Sequence, residues 1–178
     1  IKIVMFEYNE KKEVIFMKKE VKTNAMRALD NLNIAYEHID YGFEGEFKST
    51  IDLTEETHQD ISVVYKTLAT VSNTNDIFIF VIPGAENIDF KKASKCVGVK
   101  SLEMLPLKDL KSKIGYERGA TTSLAMKKDY DVVIDESAKD HEFIKVSAGK
   151  VGHSIKLKAE DLARANGGRF FDVIQKND

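Results

Sequence analysis

Residues 62–71 read SVVYKTLATV, and the way this stretch is placed decides the fold. It reads as a β-strand. In strand geometry Val64, Lys66, Leu68 and Thr70 share one face while Val63, Tyr65, Thr67 and Ala69 share the other. Neither face is polar throughout, so a lysine stands among half-buried positions, where an unpaired ammonium is costly unless an anion meets it. Downstream, SNTND at 72–76 is a turn by composition. It leads into IFIFVI at 77–82, short, β-branched and aromatic, which reads as a strand buried on both faces.

Working outward, KTNAMRALDNLN at 22–33 reads as a helix, with Thr23 as N-cap and Met26, Leu29 and Leu32 at three-residue steps. IAYEHIDY at 34–41 alternates like a strand, and STIDLTEETHQD at 49–60 is expected to contain a helix. DFKKASKCVG places Asp89 before a short helix and Gly98 after it, and PLKDLKSKIG repeats the design from Pro106 to Gly115. YDVVID, EFIKVS and HSIKLK are further strands, the last two joined by the turn AGKVG, and AEDLARANGG is a helix followed by a closing strand, RFFDVI. Six or more strands interleaved with short helices predict a mixed α/β fold whose sheet is curled or barrel-like. A regular doubly wound sheet would need a helix between most strands. The expected organisation is one domain over 17–178, preceded at 1–16 by an extension or leader whose two runs could pair as a hairpin around Asn9–Lys12, with Met17 as an alternative start.

Composition narrows the function classes. The longest apolar run, at 77–83, is far short of the roughly 20 residues of a membrane helix, so no membrane partner is expected. The single cysteine, Cys96, allows no internal disulfide and suits a reducing cytoplasm, where it reads as a small buried hydrophobe. The four histidines, 38, 58, 141 and 153, lack ligand spacing, so no metal site is expected. Walker, Rossmann and G-x-S-x-G patterns are missing. The net charge of -2 is uneven: residues 91–128 hold ten bases against three acids, and residues 1–60 hold eight against thirteen. Such a basic segment suits a polyanionic partner. Two loops have donor-rich chemistry: GYERGATTSLAMKK at 115–128, with glycines, hydroxyls and lysines, and VSAGKVG at 146–152.

These pieces occur together, and in order: KTNAMRALDNLNIAYEHIDY, VYKTL, FVIPGAENIDFKKASK, KSLEMLPLKDLKSKIGYERG, VVIDESA, VSAGKVG and AEDLARANGGRFFDV. In this order the chain resembles the YbaK/EbsC family, itself similar to the editing domain of bacterial prolyl-tRNA synthetase, over roughly residues 20–175. The resemblance implies a freestanding hydrolase of the ester joining an amino acid to the terminal ribose of a tRNA, with Cys-tRNA(Pro) deacylation foremost, and implies no cofactor. The alternatives are a deacylase for another mischarged tRNA, such as Ala-tRNA(Pro), and an accessory module that binds tRNA or a synthetase. Carried over by motif, the essential lysine falls on Lys66 and the first glycine of the glycine-rich loop on Gly119. The substrate-binding positions fall on Tyr41, Thr122, Ser147 and Gly149. The implied partners are the aminoacylated tRNA 3′ end and prolyl-tRNA synthetase. The family's G-G-x-S-P-x-G loop here reads Gly119–Ala120–Thr121–Thr122–Ser123–Leu124–Ala125, and Ser154 stands where the family has aspartate.

Overall fold

The computed structural model describes residues 2–3, 16–17, 21–42, 54–56 and 58–176. At the amino end β1 (Lys2–Ile3) pairs antiparallel with β2 (Phe16–Met17), the pairing expected of a hairpin whose turn lies outside the described residues. Of residues 49–60, read as containing a helix, 54–56 are helical, and 49–53 and 57 lie outside the description. The remaining elements are α1 (Asn24–Asn31), β3 (Glu37–Asp40), β4 (Tyr65–Ser72), β5 (Ile77–Pro83), α2 (Phe90–Val97), β6 (Leu102–Met104), α3 (Leu107–Lys113), β7 (Asp131–Asp135), β8 (Ile144–Ser147), β9 (His153–Leu157), α4 (Ala159–Asn166) and β10 (Arg169–Phe171).

The fold is mixed α/β, and in one respect it corrects the expectation. The strands do not form one curled or closed sheet; they form a five-stranded sheet, ordered β10-β7-β5-β4-β6, and a three-stranded antiparallel sheet, β3-β9-β8. β5 explains the division. Its odd residues Ile79 and Val81 join a core with Ala25, Met26 and Leu29 of α1, Ile144, Val146, Ile155 and Leu157 of the small sheet, and Leu162 of α4. Its even residues Phe80 and Ile82 join a second core with Ala93 of α2, Val133 and Val173. A strand buried on both faces needs a layer on each side, so the small sheet becomes one cover and α2 the other. Ile79, Phe80, Val81 and Ile82 are all 0% exposed, and each contributes about 1.5–3 kcal/mol of apolar burial.

The helix ends follow their capping chemistry. Thr23 Oγ1 accepts from Met26 N–H at 3.2 Å, and Asp89 accepts from the N–H groups of Lys91 and Lys92. Gly98 closes α2 in the left-handed region, at φ 75°. Cys96, half-buried within α2, packs against the second core, and burial pushes its thiol pKa up.

The two sheets meet at one end of β4. A parallel bridge ties Val64 to Lys145 of the small sheet, whereas β6 pairs with β4 only at Thr70–Ser72. Between these ties a cleft opens along the edge of β4.

Candidate active site

The cleft has a volume of about 620 Å³. Its floor is β4 from Val64 to Ala69, and its walls are β8 and the β8–β9 turn, the loop after α3, and the apolar side chains of Met104, Leu105, Leu107 and Leu110. Four of the residues that the family motifs select line it together: Tyr41, Lys66, Gly119 and Ser147. Thr122 and Gly149 do not reach its wall.

Lys66 leaves β4 on the face that carries Leu68, opposite Ile82 of β5. Its Nζ donates to Gly84 O at 3.1 Å and has no carboxylate partner within ion-pair distance among the described residues. Burial pulls its pKa below the usual lysine value, with Glu86 opposing the shift from a distance. A half-buried cation held by a single carbonyl can still donate two more hydrogen bonds, since an ammonium carries three donors. The basic character extends beyond it: Arg118 and Lys145 also line the cleft, and no aspartate or glutamate does so among the described residues. This is a site shaped for an anion.

Tyr41 follows β3. Its N–H donates to Gly152 O at 3.0 Å, and its hydroxyl donates to Gln59 Oε1 at 3.1 Å. Lys145 Nζ donates to the same Gln59 oxygen at 2.7 Å, so Gln59 joins the tyrosine to the lysine. Behind Tyr41, His38 Nε2 and His153 Nδ1 lie 3.0 Å apart, stacked with ring centroids at 5.2 Å. This contact ties the end of β3 to β9. Neither Arg118 nor Lys145 is among the residues that the family motifs select, although Arg118 directly precedes Gly119 within the basic 91–128 segment and Lys145 interrupts the apolar run of β8.

Gly119 adopts φ 84°, the left-handed conformation that favours glycine. Gly119 lines the cleft and its N–H makes no hydrogen bond among the described residues, so it is available to an oxyanion. Further along this loop Thr121 faces the cleft, whereas Thr122 is 0% exposed and its hydroxyl is buried without a partner among the described residues. The lost glycine at position 125 leaves a trace. Ala125 keeps φ at 50°, so the loop retains a glycine-like conformation in an alanine residue.

Gly149 acts through the loop rather than on the cleft. With φ at 85°, it passes so close to Tyr116 that a Cβ there would lie 2.9 Å from Tyr116 Cε1. The Tyr116 hydroxyl in turn donates to Leu124 O at 2.7 Å, and burial raises its pKa. The Gly149 N–H donates to Ser147 Oγ at 3.2 Å, which fixes the serine hydroxyl on the cleft wall. On its other side the loop is held by Asn166 Nδ2, which donates to Ser123 Oγ at 3.0 Å. Ser154 pairs with Ser147 across β8 and β9 and lines the cleft, placing a hydroxyl where the family carries a carboxylate.

The chain is similar to known proteins both in sequence and in fold. The family model for the aminoacyl-tRNA editing domain matches residues 44–165. EbsC of Enterococcus faecalis, assigned as a Cys-tRNA(Pro)/Cys-tRNA(Cys) deacylase, is 35% identical over 159 residues, which span 89% of this chain and 97% of EbsC. Among solved structures, a protein assigned as a trans-editing enzyme for prolyl-tRNA synthetase superposes with a TM-score of 0.72 at 14% identity, over 88% of this chain and all of that one. The hypothetical protein APE2540 does so with a TM-score of 0.77 at 14% identity, over 85% and 99% of the two chains. The similarity in sequence and the similarity in fold converge: the chain belongs to the aminoacyl-tRNA editing domain family, a family of aminoacyl-tRNA deacylases.

Proposed function

We propose that the protein hydrolyses mischarged aminoacyl-tRNA in trans, with Cys-tRNA(Pro) as its substrate and the cytoplasm as its place of action. The observation that carries this reading is Lys66, a half-buried amine on a cleft lined by further cations and no carboxylate among the described residues. The phosphate and ribose of a tRNA 3′ end supply the missing anion, and hydrogen bonds to charged groups contribute about 1.5–3 kcal/mol each.

In this reading no protein nucleophile is needed. The cysteinyl thiol attacks its own ester carbonyl, the C–S bond forms as the C–O bond to the ribose breaks, and the thiol proton passes to the departing ribose oxygen. Water then opens the thiolactone to free cysteine. Gly119 N–H stabilises the developing oxyanion, while Lys66, Ser147 and Tyr41 hold the ester folded. Such positioning can lower a barrier by about 7–11 kcal/mol at best. A domain of this size has little surface with which to read a whole tRNA, so prolyl-tRNA synthetase is the partner proposed to supply tRNA selection.

A second reading draws on the altered loop. With Ala120, Thr122, Ser123 and Ala125 in place of the family's glycine, serine, proline and glycine, the pocket accepts a different amino acid, and water or the ribose hydroxyl takes the attacking role. Deacylation assays on Cys-tRNA(Pro), Ala-tRNA(Pro) and Ser-tRNA(Pro) separate the two. Preference for the cysteinyl ester supports the first reading, preference for another supports the second, and tRNA binding with no turnover of any of them removes both.

A further inference from the structure

One side of β4 is paired throughout and the other only in part. With β5, hydrogen bonds run through the even-numbered residues, since Gly84 N–H donates to Val64 O at 2.7 Å and Ser72 N–H to Asp76 O at 2.8 Å. The odd-numbered residues therefore direct their N–H and C=O groups to the opposite edge. Leu105 N–H takes Ala69 O there at 2.9 Å, and β6 continues the pairing through Thr70–Ser72. At the other end Val64 is bridged to Lys145. Thr67 falls between these ties, where no strand of the described residues pairs with it, and it lines the cleft. Its side chain adds a separate observation: Thr67 Oγ1 is buried and has no hydrogen-bond partner among the described residues. An open strand edge is a template for an incoming chain, and a buried hydroxyl without a partner is costly unless a ligand provides one.

We propose that the open edge at Thr67 binds the amino-acid part of the ester, with the substrate's free α-amino group donating to Thr67 C=O and Thr67 Oγ1. This rests on the deacylase reading and adds a substrate rule to it. No carboxylate lines the cleft among the described residues, so the amino group is met by neutral oxygens. A free α-amine titrates at about 7.7–8.0, and nearby cations lower that value, so it enters as an N–H donor with little or no charge. Thr67 and Lys66 project to opposite faces of β4, which keeps the amino end of the substrate apart from its phosphate end. An ester whose amino group is acylated no longer fits against the edge. The site therefore distinguishes aminoacyl-tRNA from peptidyl-tRNA and spares the latter.

The test uses adenosine carrying a non-hydrolysable 3′-amide of cysteine, of N-acetylcysteine or of 3-mercaptopropionate, the last lacking only the amino group. Calorimetry should show both altered ligands binding about 10-fold or more weakly than the cysteinyl amide. Thr67→Val should weaken the cysteinyl amide while leaving the mercaptopropionyl amide unchanged, which also shows that the variant is folded. Equal binding of the three ligands, or equal weakening of the cysteinyl and mercaptopropionyl amides by Thr67→Val, would overturn the proposal. A preference for the free amine without turnover of any acylated tRNA would uphold this amine site and remove the deacylase reading alone.

Discussion

Thr122→Val separates a structural threonine from a substrate-binding one. The residue is 0% exposed and its Oγ1 has no partner among the described residues, while its Cγ2 already packs beside Gly149. Valine keeps the shape and the methyl contact but replaces the hydroxyl with carbon. Burying a hydroxyl without a hydrogen bond costs about 1–3 kcal/mol by protein mutational data, so the variant should be more stable by that amount. For a chain of this length, about 2–4 °C in Tm accompanies each kcal/mol, giving a rise of about 2–12 °C in a thermal melt followed by circular dichroism. Turnover of aminoacyl-tRNA should be retained, because the side chain is not on the cleft wall. An unchanged or lower Tm together with lost turnover would refute the reasoning, and would return Thr122 to the substrate-binding role that the family motif implies.

Three further outcomes follow from the same loop and from Lys66. Ala125→Gly should relieve a left-handed alanine that costs roughly 1–2 kcal/mol. Glycine gives back about half of this through the entropy of the unfolded chain, so urea denaturation should show a net gain of about 0.5–1 kcal/mol; a loss would mean that the loop does not need φ at 50°. Gly149→Ala adds the left-handed penalty to a Cβ contact at 2.9 Å with the hydrogen-bonded ring of Tyr116, and should destabilise by roughly 2–3 kcal/mol; a neutral substitution in the same denaturation experiment would contradict the close approach. Lys66→Met should stabilise the protein while lowering its activity. The sign comes from the lowered pKa of Lys66: the penalty for its charge is fully present below the folded-state pKa and disappears as pH rises through that value towards the unfolded one, about 10.4. The stability gain should therefore be large at neutral pH and shrink in alkali, and a gain independent of pH would count against burial as its cause.

Much of the fold could be read locally. Thr23, Asp89 and Gly98 announce their helix ends because caps depend on neighbours in the sequence, and the apolar run at 77–82 announces a strand covered on both sides. What could not be read is how the covers divide. Alternation assigns Ile79 and Phe80 to opposite faces, but it does not say that a separate three-stranded sheet fills one of them, because that depends on pairings such as His38 with Ile155, more than a hundred residues apart. β6 escaped notice because three residues show no period. At the site, Lys66 was legible as a charge out of place in a strand, and the family motif brought Tyr41, Gly119 and Ser147 with it. Thr122 and Gly149 read as cleft residues because a motif records position and not direction. Both turn away from the cleft, Thr122 packing beside Gly149 and Gly149 against Tyr116. The gap in the β4 edge at Thr67 was invisible for a related reason, since it is defined by where β6 and β8 stop.

The most direct measurement is single-turnover deacylation of Cys-tRNA(Pro) by the native protein and by Lys66→Ala, with folding of both verified by circular dichroism. Loss of a charge-assisted contact to the 3′ end, about 1.5–3 kcal/mol, predicts a rate constant over Km lower by about 10- to 150-fold at unchanged fold. A Lys66→Ala protein that deacylates Cys-tRNA(Pro) at the native rate would contradict the assignment of this cleft as the active site.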